Sequence, residues 1–221
     1  MENLLNDDVL EQVQEAFQDL KDPVQVLFFG DEENCQYCQE TRQLAREVID
    51  TSDKLSLEVY DINADAEIAK KYHVDKTPTL VIAGKDGITP IDYGIRLAGI
   101  PSGHEFSSFI QDLLIVSSKN HNLSKDTLSF LESIQGPIHL QVFVTPTCPY
   151  CPRAVILAHR LALASDMVQA EMVEATEFQT LSAKYNVSGV PDTSINFGVG
   201  KVVGAVPEAQ LIQEIKAVLA K

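Results

Sequence analysis

The chain lacks any apolar run of about 18 residues, which excludes a membrane-spanning helix. It has little positive charge: 17 Lys and Arg stand against 32 Asp and Glu, a formal net charge of −15. Phosphate contacts need clustered Lys and Arg, so nucleic acid is excluded as a partner. The opening stretch, "MENLLNDDVLEQVQ", has neither the basic end nor the apolar run of a secretory leader. A cytoplasmic location with no membrane contact is the expectation. Finally, no cysteine lies outside two C-x-x-C units, Cys35/Cys38 and Cys148/Cys151, so none is left for a structural framework. In a reducing compartment such pairs are more often metal ligands or redox centres than permanent braces.

What is present points to duplication. With 221 residues, 45% of them apolar, the chain can build one large domain or two of ordinary size. Cys35 and Cys148 are 113 residues apart, and the same step separates Tyr72 from Tyr185 and Pro78 from Pro191. "PVQVLFF" at Pro23 likewise matches "PIHLQVFV" at Pro137, one residue out of step, and "AGIPSGHEF" at Ala98 resembles "GAVPEAQL" at Gly204. A repeat of this length divides the chain into residues 1–117, with CQYC, and 118–221, with CPYC. Charge is shared unequally: residues 1–116 hold 9 basic and 23 acidic side chains, residues 117–221 hold 8 and 9. The halves therefore carry −14 and −1, which fits either a solvated acidic surface or different partners for the two halves.

Each half has the same order of patterns. A short β-branched run (Val24 to Phe29, Ile138 to Val144) reads as a strand, followed by C-x-x-C and a helical pattern (Gln39 to Ile49, Pro152 to Ala164). A second strand follows (Ser56 to Asp61, Val168 to Glu174), then a helix ending near Tyr72 or Tyr185 and the matched proline. A hairpin (Thr79 to Ala83 with Ile91 to Ile95, Thr193 to Phe197 with Lys201 to Gly204) and a helix (Gly103 to Val116, Pro207 to Leu219) close each half. Helices over Asp7 to Leu20 and Ser124 to Ile134 lead the halves, and Ser117 to Asp126 is the turn between them. In the first closing helix, Phe106, Phe109 and Ile110 follow core spacing.

This order resembles the thioredoxin fold, "CPYC" is the glutaredoxin active-site sequence, and "VFVTPTCPYCP" with "NCQYC" and "GHEF" resembles the glutaredoxin-like protein disulfide oxidoreductases. The resemblance implies an α/β chain of two tandem thioredoxin-like domains, each a three-layer α/β/α unit around a mixed sheet. It also implies thiol-disulfide exchange on protein substrates, with electrons from a separate thioredoxin-reductase-like flavoprotein and no cofactor in the chain itself. In the family the matched prolines, here Pro78 and Pro191, are cis, and the preceding residue, Thr77 or Val190, offers its backbone to an extended substrate. Tyr37 and Tyr150 shape the rim.

The residues suit that chemistry. A C-x-x-C at a helix start gives a thiolate favoured by the helix end and a resolving thiol within reach. Cys35 and Cys148 are then the nucleophiles, Cys38 and Cys151 the resolving thiols, with Pro149 expected in the first helical turn. A four-cysteine zinc site would need the two distant pairs brought face to face, so no metal is expected. Two departures stand out. The buried acid of thioredoxins, six residues before the first cysteine, is replaced by Phe29 and Val142, so another carboxylate or water must move the proton. The Gly-Gly turn of glutathione-using glutaredoxins is absent from "FGVGKVVG". Two other readings remain: an electron donor to a peroxidase, with a peroxiredoxin partner, and a holdase whose cysteines are secondary.

Overall fold

The computed structural model describes residues 3–220. Two helices lead: α1 (Asp7–Ala16), capped by the Asn6 side chain accepting from the Val9 N–H at 2.9 Å, and, in the second half, α5 (Lys125–Ser133), capped by Ser124. A 3-10 turn, Phe17–Asp19, ends α1, so the expected helix to Leu20 is shorter and tighter. The first half continues with β1 (Val24–Gly30), α2 (Cys38–Ile49), β2 (Leu55–Asp61), α3 (Ala66–Lys71), β3 (Thr79–Asp86), β4 (Thr89–Ala98) and α4 (Glu105–Ser118). The second repeats it as β5 (Ile138–Val144), α6 (Cys151–Ala164), β6 (Val168–Glu174), α7 (Gln179–Lys184), β7 (Asp192–Ile195), β8 (Gly200–Val203) and α8 (Glu208–Leu219).

The strands form one eight-stranded sheet in the order β2-β1-β3-β4-β6-β5-β7-β8. Within each half the first strand pairs parallel with the second and antiparallel with the third. β1 is buried along its whole length, as a continuous run such as VLFF requires when both faces of a central strand are covered. The halves are joined by β4 and β6, which run parallel with Arg96 opposite Glu171. Gly94 (φ +78) makes the joint possible, because a Cβ there would lie 2.6 Å from the Val168 carbonyl oxygen. Lys76 of the first half reaches Glu171 at 2.7 Å, and Gln141 donates to the other oxygen of that carboxylate.

Helices lie on both faces. One apolar cluster runs through both halves and contains residues of α2, α4, α6 and α8, with Cys38, Cys148 and Cys151 inside it. On the opposite face α3 covers Leu27, Phe29, Val81 and Ala83, while Phe143 and Val173 lie beneath Phe178, Leu181 and Tyr185. Phe109 is fully buried, and Phe106 and Ile110 pack against the core from its margin.

The hairpins differ from expectation in opposite ways. The first is longer, with a register shift between Ile82 and Ala83. The second is shorter, and Phe197 lies in its turn rather than in β7. Asn196 causes this: its backbone N–H donates to the His139 carbonyl and its side chain accepts from the His139 N–H, both at 2.8 Å. Asn196 thereby turns the chain with φ 47°, a conformation Asn tolerates better than most residues.

Candidate active site

Both cysteine pairs are bridged, with Cα atoms 5.5 Å apart in each. The helices begin at the second cysteine of each pair, Cys38 or Cys151, with Tyr37 or Tyr150 as the N-cap residue. The first backbone bond of α2 runs from the Thr41 N–H to the Tyr37 carbonyl, so the helical turn starts only after the bridged loop. The expectation for Pro149 is therefore corrected: it stands ahead of the helix, and Pro152 occupies the first turn. Cys35 and Cys148 sit just before a helix N-terminus, where partial positive charge favours a thiolate.

The prolines reach the same end of the sheet. Register pairs Phe29 with Thr79 and Phe143 with Asp192, placing Pro78 and Pro191 beside the strand ends that lead to the cysteines. The Thr77–Pro78 and Val190–Pro191 bonds are both cis. Each proline carbonyl accepts an equivalent bond, from Gly99 N–H at 2.9 Å and from Gly204 N–H at 2.8 Å. Val190 packs against the cluster that holds Cys148 and Cys151.

The surroundings of the two disulfides differ. Beside the first, Asp31 accepts from the Glu33 and Asn34 N–H groups at 2.8 and 3.0 Å, and these bonds hold its carboxyl below the usual range. A fixed negative charge thus lines a recess of about 450 Å³ with Glu32, Arg42, Val59 and both cysteines. Beside the second disulfide the loop Thr145 to Thr147 carries no charge, and Tyr150 projects into solvent at 63% exposure, whereas Tyr37 is half-buried.

No pattern in the sequence marks the ionisable residues under the second site. Phe29 and Val142, at the positions of the missing acid, are fully buried and apolar. Glu105, at the start of α4, is 1% exposed; its Oε2 accepts from the Ser108 hydroxyl at 2.6 Å and its Oε1 has no hydrogen-bond partner among the described residues. Burial pushes its carboxyl up to about 7, with Asp112 adding to the rise and His159 and Ser108 opposing it. Seven residues on, both carboxylate oxygens of Asp112 lie 2.9 Å from His159 Nδ1, and both side chains are wholly buried. Burial raises Asp112 as well, against the pull of His159.

The level of Glu105 follows from the helices. α4 and α6 each run back from parallel strands, and the His104 N–H donates to the Pro146 carbonyl at 2.9 Å, so their starts lie at one end. A rise of about 10 Å along each helix, from the Asp112–His159 pair toward the N-termini, brings Glu105 level with Pro152 and Cys151. A helix of the first half therefore carries a buried acid toward the site of the second. Glu177, also raised to about 7 chiefly by burial, accepts from the Ile100 N–H at 2.7 Å and so ties the two halves together.

A duplicated α/β unit with a bridged C-x-x-C before a helix and a cis-proline opposite defines the thioredoxin class, and the chain belongs to the thioredoxin-domain family, whose model matches residues 23–89 and 138–217. It is a thiol-disulfide oxidoreductase with two C-x-x-C disulfides. Among solved structures it is similar to a protein disulfide oxidoreductase from Aeropyrum pernix K1, 27% identical, with a TM-score of 0.88 over 99% of this chain and 96% of that one. It is also similar to the N-terminal domain of the alkylhydroperoxide reductase AhpF from Enterococcus faecalis, 25% identical, with a TM-score of 0.86 over 96% and 99%. The corresponding alkyl hydroperoxide reductase protein of Staphylococcus aureus is 25% identical over 203 residues, which span 90% of this chain and 36% of that protein's length. Among the described residues no helix is long and apolar enough to cross a membrane.

Proposed function

We propose that the chain passes electron pairs to protein disulfides through Cys148 and Cys151, which a separate flavoprotein reduces again after each turnover, and that Cys35 and Cys38 form a second dithiol site with a different partner. The observation that carries this reading is the buried carboxyl of Glu105 at the start of α4, a helix that packs on α6 and whose His104 N–H is bonded to Pro146 in the uncharged loop before Cys148. The reduced Cys148 thiolate attacks one sulfur of a substrate disulfide, forming a mixed disulfide and releasing the other sulfur as a thiolate that takes a proton from water. Cys151 then gives its proton to Glu105 and attacks Cys148 Sγ, restoring the bridge and expelling the second substrate sulfur as a thiolate, to which Glu105 returns the proton by way of water. Two electrons leave the protein, and the substrate gains two electrons and two protons. Thr77 and Val190 offer backbone groups to an extended substrate beside Pro78 and Pro191, and Tyr37 and Tyr150 form the rim.

The test is insulin reduction driven by a dithiol, with each cysteine pair changed to serine. Loss of turnover in Cys148→Ser/Cys151→Ser, and retention in Cys35→Ser/Cys38→Ser, is expected. Equal turnover by both variants removes the assignment of roles, and aggregation suppression without cysteine-dependent turnover would favour a holdase. The similarity to the AhpF N-terminal domain favours a second reading in which the acceptor is a peroxidase of the peroxiredoxin type. Faster peroxide consumption by a peroxiredoxin when the reduced chain is added, with insulin left untouched, selects that reading.

A further inference from the structure

The joint between the halves is a head-to-tail contact: the last strand of one unit, β4, pairs with the second strand of the next, β6. Because the chain is a repeat, its two outermost strands, β8 and β2, are the counterparts of those same two strands. Register fixes the equivalence. Ala98 pairs with Thr79 as Val203 pairs with Asp192, so Lys201 stands where Arg96 stands. Leu27 pairs with Glu58 as Gln141 pairs with Glu171, so Glu58 stands where Glu171 stands. Lys201 even repeats the anchoring of Arg96, donating to the Tyr185 carbonyl as Arg96 donates to that of Tyr72.

We infer that β8 of one molecule adds to β2 of a second copy of this chain, repeating between molecules the joint made inside each. Lys201 then faces Glu58 as Arg96 faces Glu171, with the same sign on the same side. The apolar positions that the inner joint buries are exposed on the outer strands, Val203 at 62% and Val59 at 43%. The helices match as well. The step of 113 residues sets Arg46 of α2 against His159, and the buried spacing of α8 sets Glu214 against Asp112. The buried Asp112–His159 pair thus has an outer counterpart of the same polarity in Glu214 and Arg46, both exposed.

The outer contact is shorter than the inner one, since β8 has 4 residues where β4 has 10, and its charged groups are exposed. It is therefore weak, reversible and strengthened by low salt. A heterologous contact leaves a free β2 at one end and a free β8 at the other, so it continues beyond a dimer.

Sedimentation velocity on the oxidised chain over a range of concentrations, at low and high ionic strength, tests this. The expected result is a mass that rises past the dimer with concentration and falls with salt. Glu58→Lys on β2 and Val203→Lys on β8, both surface changes, should each give a monomer alone. Mixed, they should give a dimer and nothing larger, because only one compatible pair of strands remains. A wild-type chain that stays monomeric at low salt overturns the inference. So does association that survives either variant alone, which would mean a contact between like strands or one made elsewhere.

Discussion

Glu105→Gln isolates the proton held under the second site. Free glutamate titrates near 4.5 and Glu105 near 7, so the folded state keeps this proton to higher pH than the unfolded state does. The sign follows: the stabilising contribution is whole below pH 4.5 and is lost as pH rises through about 7. At about 1.4 kcal/mol per pH unit, the gap corresponds to about 3 kcal/mol of stability lost across that window. Glutamine keeps an acceptor for Ser108 and has no proton to lose. Urea unfolding of the oxidised proteins at about pH 5 and about pH 8 should show Glu105→Gln gaining about 3 kcal/mol relative to wild type between the two. Glu177 is present in both proteins and cancels in the difference. In parallel, the resolution step at Cys151 should rise with pH through about 7 in wild type and be slower and flat in the variant. If the two proteins lose stability in parallel from pH 5 to 8, the carboxyl is not buried as described and its role in proton transfer falls with it.

The two nucleophiles should differ. In single variants that leave one nucleophile intact, Cys148 should be alkylated at lower pH than Cys35, because Asp31, Glu32 and Glu33 disfavour a thiolate at Cys35; identical pH profiles refute this. Gly103→Ala should cost more than Gly87→Ala. Both glycines have φ near +60°, but only at Gly103 would a Cβ meet the Pro146 carbonyl, at 2.3 Å, whereas nothing lies within 4 Å at Gly87. Gly87→Ala should cost about 1 kcal/mol in urea unfolding and leave reduction of the second disulfide unchanged, while Gly103→Ala slows it; equal effects would detach the start of α4 from that site. Arg96→Ala leaves the Tyr72 carbonyl and the Asp92 carboxylate without their buried partner and should cost about 3 kcal/mol or more. A loss under about 1 kcal/mol in the denaturant midpoint would show that water replaces the guanidinium.

Elements within a half were legible in the sequence because their signals are local. Ile138–Val144 and Val168–Glu174 coincide with the observed strands, and the matched prolines follow from spacing alone. The helices after the cysteines begin within one residue of the expected Gln39 and Pro152, and only Pro149 is displaced, because the bridged loop ahead of Cys151 is not helical. Phe197 reads as a strand residue by propensity, and the twofold bond of Asn196 to His139 overrides that preference. Glu105, Asp112 and His159 were invisible for a different reason. Each lies on an amphipathic helix at a position that a single thioredoxin unit would leave in water. Their burial comes from α4 of one half packing on α6 of the other, a contact that no pattern within either half encodes.

That borrowed helix has a consequence for how the protein is made. Residues 105–118 leave the ribosome with the first half, before the strands of the second half have been synthesised. N-terminal units fold first during synthesis, so α4 is in place as a finished surface when Cys148 and Cys151 emerge. Until the second half docks on it, Glu105 and Asp112 of that helix face water. The second dithiol therefore reaches its working state in the same event that joins β4 to β6, and a chain released early carries a complete first site and no second one.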